Sequence, residues 1–289
     1  MADMKIGVIG AGMMGSEIAL VYALGGHDVV LFDQSGEHAR AALQRLHGVL
    51  QAGVRRGFQT EEQAQAALAR LRVPDSLDAF ADRGLVVEAV FEDEAVKADV
   101  FGRLCAVVGP DCILASNTSS IPITTLSGHL PEARRARFLG THFFSPVSRM
   151  KLVEVIPGLD SDPAVVDAVC DILTAIGKQP VRIKDVVGFA VNRLLHIFWI
   201  EATRLVEEGV ATPQDIDLAC KLGLGHPVGP FELMDGVTNN LTLDVQEILH
   251  DAYGPRFLPR PMLKTLVRAG YKGRKAGRGW YRYRDGKRV

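Results

Sequence analysis

The chain of 289 residues lacks the features of a membrane-bound, nucleic-acid-binding or secreted protein. No apolar run approaches the roughly 20 residues that a membrane-spanning helix needs. The formal net charge is −1, so the bulk charge favours neither a nucleic acid nor a membrane surface as a partner. The first residues lead directly into a strand-like apolar run, which predicts that no signal peptide is present.

Cysteine is scarce and scattered. The four cysteines, Cys105, Cys112, Cys170 and Cys220, show no C-x-x-C spacing. This distribution is typical of reduced thiols in a core, and not of a disulfide framework or a set of metal ligands. We therefore expect a cytoplasmic protein without a metal site.

A glycine-rich turn near the N-terminus predicts a dinucleotide site. The apolar run KIGVI, at residues 5–9, is followed at once by Gly10, Ala11, Gly12, Met13, Met14 and Gly15, and then by an apolar helix-like segment. This is the G-x-G-x-x-G fingerprint in its strand–turn–helix context. The first glycine permits a tight turn, the second lets the backbone approach a diphosphate, and the third lets the helix pack closely on the strand. The amides at the helix start would bind the diphosphate.

Asp33 ends the second strand-like run, DVVLFD, and its position predicts which nucleotide binds. A carboxylate there takes the ribose hydroxyls of adenosine and repels a 2′-phosphate, and Gln34 brings no compensating charge. NAD is therefore favoured over NADP. FAD remains an alternative, because FAD-binding proteins use the same fingerprint.

Alternating strand-like and helix-like segments predict an α/β domain of the Rossmann type over residues 1–186. A helical hairpin at about residues 36–72 is inserted after the second strand, and its second arm begins with a capping box, TEEQ, at residues 60–63. The hairpin could be additional core. It could also be a substrate arm whose Arg55 and Arg56 meet an anionic ligand, and the sequence leaves both readings open.

From residue 187 onward the pattern changes to helical spacing. The segments VNRLLHIFWIEATRLVEEG, TPQDIDLAC and LTLDVQEILHDAYG each predict a helix, the second with Thr212 as its cap and Pro213 at its first position. We expect residues 187–289 to form a smaller all-α domain that binds substrate and forms a dimer through its broad apolar face.

A His and a Glu can be placed opposite each other by counting. His142 lies in the strand-like run RFLGTHFF and Glu154 in the run KLVEVI, with a turn-like segment between them. If the chain folds near Ser148, each lies six residues from the fold point and the two are cross-strand neighbours. A carboxylate beside an imidazole fixes its tautomer and supports its charge, as a general base requires. The alternative is a surface hydrogen bond near a turn.

Six motifs occur in one order along nearly the whole chain: GAGMMG, ASNTSS, THFFSPVSRMKLVEV, GFAVNRLL, LGLGHPVGPFELMD and GRKAGRGWYRY. As a set they resemble the L-3-hydroxyacyl-CoA dehydrogenase family, especially its short 3-hydroxybutyryl-CoA members. The resemblance implies reversible oxidation of an (S)-3-hydroxyacyl-CoA to the 3-ketoacyl-CoA with NAD as hydride acceptor. It also implies an acyl-CoA partner and a homodimer formed through the helical domain.

The resemblance also implies a role for each matching residue. His142 matches the base that takes the proton of the 3-hydroxyl, and Glu154 matches its partner. Ser119 matches a hydroxyl that binds the reacting oxygen, and Asn192 matches an amide near the same oxygen. Without the resemblance, Ser119 could be only a strand-end cap and Asn192 only a helix-start hydrogen bond.

The resemblance adds four residues to the cofactor site: Glu92, Lys97, Asn117 and Lys275. Arg56 lies close to a basic contact that the family makes to coenzyme A, although the hairpin need not align there without gaps. Lys275 belongs to a basic run that begins at Lys264. Such a run is usually a solvated surface, but it could also balance phosphates of NAD or coenzyme A.

One position departs from the family pattern. Where the family usually has Asn, in HFFNP, this chain has Ser145. Serine is shorter and has no amide donor, so we expect a bridging water or an altered acyl preference at this position of the substrate site. The segment VTNNL, at residues 237–241, also differs and bears on the identity of the substrate.

Two other functions remain open at this point. A related dehydrogenase of a free hydroxy acid, of the L-gulonate or carnitine type, would use the same scaffold, and the basic residues of the hairpin favour coenzyme A only mildly. A non-catalytic NAD-binding protein is the other possibility. The presence of His142, Glu154, Ser119 and Asn192 argues against it.

Overall fold

The computed structural model describes residues 4–289, which form two compact units that divide between Val186 and Val187. None of the helices in these residues is both long and apolar enough to cross a membrane.

The first unit is built on an eight-stranded sheet in the order β3-β2-β1-β4-β5-β6-β7-β8. The strands are β1 Lys5–Ile9, β2 Asp28–Phe32, β3 Leu71–Arg72, β4 Leu85–Glu88, β5 Ile113–Ser116, β6 Phe138–Phe143, β7 Leu152–Pro157 and β8 Gln179–Arg182. All neighbours are parallel except β6 and β7. The order of the first six strands is that of a doubly wound dinucleotide-binding sheet, which confirms the predicted fold class.

The central strands read as continuous apolar runs because both of their faces are covered. Every residue of β4 and β5 is buried. The helices of this unit are α1 Met13–Leu24, α2 Gly36–Arg55, α3 Glu61–Arg70, α4 Glu94–Val107, α5 Ile123–Gly128, α6 Glu132–Arg135 and α7 Pro163–Ala175. Side chains of Ser35, Thr60, Asp93 and Asp162 cap four of them by accepting hydrogen bonds from first-turn amides.

The predicted helical hairpin is present as α2 and α3, and the predicted capping box starts α3. Its inner face belongs to the main core, where Ala42, Leu46 and Leu50 of α2 are buried with the apolar residues of α1. Arg55 and Arg56 are exposed where the first arm ends. The hairpin is therefore additional core along its length and a basic surface at its tip.

The helical unit contains α8 Val191–Glu207, α9 Pro213–Gly223, α10 Pro230–Val237, α11 Asn239–Tyr253 and α12 Pro261–Arg268. Thr212 caps α9 as predicted, and its hydroxyl also donates a hydrogen bond to the Asp215 carboxylate. A short antiparallel hairpin, β9 Tyr283–Arg284 with β10 Lys287–Arg288, was not predicted and makes this unit mainly rather than wholly helical.

The basic segment after α12 closes the core of the helical unit. Tyr281 is buried beside Trp199 and Phe231. Asp235 accepts hydrogen bonds from the Trp280 and Tyr281 amides, at 2.9 and 3.0 Å. These contacts show that the interpretation of the basic run as only a solvated surface is wrong for its aromatic part, residues 280–283, which we call the closing segment.

A buried carboxylate on α9 fastens the same segment. Asp217 accepts a hydrogen bond of 2.6 Å from the Tyr281 hydroxyl and one of 2.8 Å from the Phe231 amide. Burial raises the pKa of Asp217, although the Tyr281 hydroxyl acts in the opposite direction. Two carboxylates, on α9 and α10, thus hold the closing segment against the helices.

Candidate active site

The glycine loop between β1 and α1 has the geometry that a diphosphate site requires. Gly10 has a φ of +97°, which L side chains rarely adopt. A Cβ on Gly15 would lie 1.9 Å from the Gly10 carbonyl oxygen, so only glycine lets α1 approach this turn. A Cβ on Gly12 would meet nothing within 4 Å, which leaves open space beside the first amides of α1.

Asp33 fastens this loop and also lines the cavity beside it. Its carboxylate accepts hydrogen bonds from the Ala11 amide at 2.8 Å and the Ser35 amide at 3.1 Å, and lies 3.2 Å from His38 Nδ1. Ala11 is also held through its carbonyl, which accepts a hydrogen bond of 3.1 Å from Arg45 of α2. The roles of His38 and Arg45 were not predictable from the sequence, because neither residue belongs to a spacing pattern.

A cavity of about 360 Å³ opens beside the loop. Five of the predicted cofactor residues line it: Gly10, Gly12, Met13, Met14 and Asp33. Ala11 and Gly15 are buried behind it. Arg103 lines the cavity too and is a cation that the sequence analysis missed.

The antiparallel pair β6–β7 brings His142 and Glu154 together. The register pairs the two residues directly, as the count along the hairpin predicts. His142 Nδ1 lies 2.8 Å from Glu154 Oε2, and the two residues are 5% and 1% exposed. The alternative of a surface hydrogen bond is therefore wrong.

Ser119 completes this arrangement from the loop after β5. Its hydroxyl oxygen lies 3.0 Å from His142 Nε2, the ring nitrogen on the far side from Glu154. Because a carboxylate only accepts hydrogen bonds, Nδ1 carries the proton in the neutral ring. Nε2 then has the lone pair and accepts from the Ser119 hydroxyl, which is the tautomer that a general base needs.

Two of the predicted cofactor residues hold the loops around this dyad. Asn117 Oδ1 accepts a hydrogen bond of 2.9 Å from the Phe143 amide, next to His142. Glu92 accepts hydrogen bonds from the loop that carries Ser119. Burial raises the pKa of Glu92, but Lys97 and these donors outweigh burial and hold the pKa below its usual range.

Lys97 is buried and forms a salt bridge of 2.6 Å with Glu88, a residue that the sequence analysis did not select. A signal for Glu88 was present, because a carboxylate inside the apolar run LVVEAV needs a buried partner.

Ser145 is exposed and lies two residues after the end of β6. The turn after it is fastened by Lys178, whose ammonium donates to the Val147 carbonyl and to the Met150 carbonyl, the latter at 2.9 Å. Desolvation by burial lowers the pKa of Lys178, although Glu17 acts in the opposite direction. Ser145 therefore lies in a turn with a fixed backbone.

Arg56 lines a cavity of about 850 Å³ between the helical hairpin, α1 and the turn after β6. A second cation, Arg149, lines the same cavity and lies 5.3 Å from the centre of the Phe58 ring. Apolar side chains, including Leu20 and Leu24 of α1, form part of the wall. This cavity combines basic and apolar walls, and Arg149 was not predicted from the sequence.

Asn192 and Lys275 belong to the helical unit. Asn192 is the second residue of α8, and Lys275 lies in the short 3₁₀ turn Arg274–Ala276 that precedes the closing segment.

Comparison with known proteins assigns both units. The model of the 3-hydroxyacyl-CoA dehydrogenase NAD-binding domain matches residues 5–186, and that of the 3-hydroxyacyl-CoA dehydrogenase C-terminal domain matches residues 188–283. A 3-hydroxybutyryl-CoA dehydrogenase of Bradyrhizobium diazoefficiens is 42% identical over 286 residues, which are 99% of this chain and 97% of the relative.

Solved structures agree over the full length. The crystal structure of M. tuberculosis FadB2 matches with a TM-score of 0.94 and 40% identity, covering 98% of this chain and 100% of the other. The (S)-3-hydroxybutyryl-CoA dehydrogenase PaaH1 of Ralstonia eutropha matches with a TM-score of 0.92 and 37% identity, covering 97% and 99%.

The chain belongs to the 3-hydroxyacyl-CoA dehydrogenase family. It is accordingly an NAD-dependent oxidoreductase, and its cofactor is NAD rather than FAD. The interpretation as a non-catalytic NAD-binding protein is thereby wrong.

Proposed function

We propose that this chain interconverts (S)-3-hydroxybutyryl-CoA and acetoacetyl-CoA with NAD, using His142 as the general base. The observation that carries the proposal is the contact of buried His142 with buried Glu154 at 2.8 Å and with the Ser119 hydroxyl at 3.0 Å. The names of the relatives support the short acyl chain.

The chain's residues would handle the proton and the reacting oxygen. NAD, when bound, accepts the hydride from C3 of the substrate. His142 Nε2 takes the proton of the 3-hydroxyl. The C3–H and O–H bonds break, and the C–O single bond becomes C=O. In the reverse direction the same nitrogen returns the proton to the oxygen of the ketone.

Glu154 supports this base without touching the substrate. Its carboxylate orients the ring through Nδ1 and stabilises the imidazolium that forms when Nε2 takes the proton. Ser119 and Asn192 would bind the reacting oxygen, Ser119 from its position 3.0 Å from Nε2. A hydroxyl already placed there loses little freedom when substrate arrives.

The cofactor would be held by the glycine loop and Asp33. The open space at Gly12 admits the diphosphate, and the Asp33 carboxylate takes the ribose hydroxyls. Glu92, Asn117 and Lys275 are proposed for the cofactor site, and Lys97 would contribute to it through its ion pair with Glu92. Asn117 and Glu92 act from loops whose geometry they also fix.

Coenzyme A would use the cavity at Arg56. An acyl-CoA carries phosphates at one end and a pantetheine arm whose methyl and methylene groups are apolar, and this cavity offers two arginines and an apolar wall. Arg56→Ala should raise KM for acetoacetyl-CoA about tenfold, because one charged contact contributes about 1.5 kcal/mol. Arg70→Ala, which removes an exposed arginine at the end of α3, is the matched control. Equal KM values for the two variants would contradict the placement.

We also propose a cytoplasmic homodimer formed through the helical unit. Its helices expose large apolar side chains, among them Leu194, Leu218, Leu222 and Leu224. Apolar surface of this kind is typical of protein interfaces. Sedimentation should give twice the mass of the chain, and the four free thiols are compatible with a reducing compartment.

The deciding experiment compares acetoacetyl-CoA with free acetoacetate as substrates for NADH oxidation. Turnover with the thioester alone is the expected result. Turnover of the free acid at a similar kcat/KM would instead favour the dehydrogenase of a free hydroxy acid, and absence of both, with tight NADH binding, would overturn the proposed substrate.

A further inference from the structure

The loop that carries Ser119 donates several hydrogen bonds to a single carboxylate oxygen. Glu92 Oε1 lies 2.7 Å from the Thr118 hydroxyl and 2.7 Å from the Ser119 amide. It also accepts from the amide and the hydroxyl of Ser120, at 2.8 and 2.9 Å. Hydrogen bonds to an ionised acceptor are roughly twice as strong as neutral ones, so this oxygen determines where the Ser119 backbone lies.

The other oxygen of Glu92 is held by a buried lysine. Lys97 Nζ lies 3.3 Å from Glu92 Oε2 and 2.6 Å from Glu88 Oε1, and the Lys97 side chain is only 1% exposed. With its ammonium enclosed by two carboxylates, Lys97 acts on its surroundings through Glu92.

Glu88 fixes the lysine to the sheet. It is the last residue of β4 and is fully buried, and its Oε2 accepts from the Ser116 hydroxyl, at the end of β5, at 2.6 Å. Its Oε1 also accepts from the Val90 amide at 2.7 Å. The ends of two adjacent strands are thus joined to the lysine that holds Glu92.

A buried ion pair is weak evidence for stability, because the cost of desolvation offsets most of the attraction. What such a pair does provide is a defined position for its neighbours. Here the contacts run without a break from Glu88 through Lys97 and Glu92 to Ser119, whose hydroxyl lies 3.0 Å from His142 Nε2.

We infer that Glu88 and Lys97 are positioning residues that act through Glu92 to keep the Ser119 hydroxyl at His142. The expected effect on turnover rests on the proposed function. The expected effect on the position of the Ser119 hydroxyl is independent of the substrate. Neither residue touches the reacting atoms. Their removal should allow the Ser119 loop to relax away from Nε2, and a displacement of about 1 Å costs roughly 100-fold in rate.

The test variant is the double substitution Lys97→Met with Glu88→Gln. It removes both charges together, since Lys97→Met alone would leave a buried carboxylate unpaired and could unfold the protein. The matched control is Arg83→Met. Arg83 is also a buried cation, 3% exposed, and pairs with Asp28 and Asp82 near the other end of β4.

The first measurement is the crystal structure of each variant. The distance from Ser119 Oγ to His142 Nε2 should exceed about 3.5 Å in the double variant, beyond hydrogen-bonding range, and stay near the native distance in Arg83→Met. An unchanged distance in the double variant would overturn the inference whatever the substrate is. A lengthened distance in the double variant, when the wild-type enzyme itself fails to turn over acetoacetyl-CoA, would overturn the proposed function alone.

The second measurement is a cycle with Ser119→Ala. If the pair acts through the Ser119 hydroxyl, the double variant should lower kcat about 100-fold in the wild-type background and by less than about threefold in the Ser119→Ala background. Equal losses in both backgrounds would show a general structural role and contradict the inference. NADH affinity, measured alongside, separates loss of positioning from loss of cofactor.

Discussion

Two of the buried histidines, His142 in the first unit and His196 in the helical unit, differ in their surroundings. His142 has the Glu154 carboxylate 2.8 Å from Nδ1 and the Ser119 hydroxyl 3.0 Å from Nε2. His196, on α8, packs edge-on against Trp199, and its Nδ1 has no hydrogen-bond partner among residues 4–289. Desolvation lowers the pKa of His196 to about 4.

The difference shows what makes a buried imidazole useful as a base. Burial alone penalises the charged ring, so His196 stays neutral near neutral pH and serves packing. A carboxylate at one nitrogen of His142 orients the ring and directs the lone pair of the other nitrogen to one place. Burial of a histidine therefore indicates function only when its partners are known.

Replacing His142 gives the largest expected effect. His142→Gln should lower kcat by about 10²- to 10⁴-fold, the usual contribution of a general base, and leave the dissociation constant of NADH unchanged. Steady-state kinetics and NADH fluorescence titration measure the two quantities. If NADH affinity falls together with kcat, His142 is structural and the contrast with His196 is lost.

Acid stability tests the other histidine. Between pH 6.5 and pH 4 the unfolded His196 takes a proton and the folded one does not, so the folded state loses up to about 3 kcal/mol as the pH falls through this range. Above pH 6.5 both states are neutral and His196 contributes no slope. Urea unfolding of the wild type and His196→Phe should show a difference between them that grows as the pH falls. A stability difference that is independent of pH would contradict the lowered pKa of His196.

Glu154→Gln sharpens the contrast by removing the charge while keeping a hydrogen-bonding side chain. We expect kcat to fall about tenfold, less than for His142→Gln, because the amide still orients the ring but no longer stabilises the imidazolium. A loss as large as that of His142→Gln would mean that the charge, and not the orientation, carries the effect.

Ser145→Asn is expected to have the smallest effect. The added amide would lie in a turn whose backbone is already fixed by Lys178, so the change should appear as a shift of a fewfold in kcat/KM among acyl chain lengths. A series of 3-ketoacyl-CoA substrates measures it. If neither kcat/KM nor chain-length preference moves, Ser145 does not contribute to substrate selection.

The sequence was sufficient where structure is local. The glycine loop was predictable because a tight turn and a close helix approach permit only glycine at Gly10 and Gly15. The pairing of His142 with Glu154 was predictable because both lie on one hairpin, in which register follows from counting.

The sequence was insufficient where contacts join elements that are distant along the chain. Lys97 contacts Glu88 and Glu92 near the ends of two parallel strands, and Glu92 contacts the Ser119 amide. No spacing rule predicts which buried lysine faces which carboxylate. Arg45 reaches Ala11 from the inserted hairpin in the same way. Such contacts depend on how the elements pack on the sheet. The sequence predicts the class of the fold but not this packing.

The closing segment has a consequence for synthesis of the chain on the ribosome. Tyr281 completes the core around Trp199 and Phe231, and its hydroxyl satisfies a buried Asp217. While residues 280–283 are still inside the exit tunnel, the emerged helices lack this part of their core, and Asp217 and Asp235 lack the donors that this segment supplies. The sheet of the first unit, whose strands have all emerged by then, can fold first, and the helical unit acquires its full stability only once residues 280–283 have emerged.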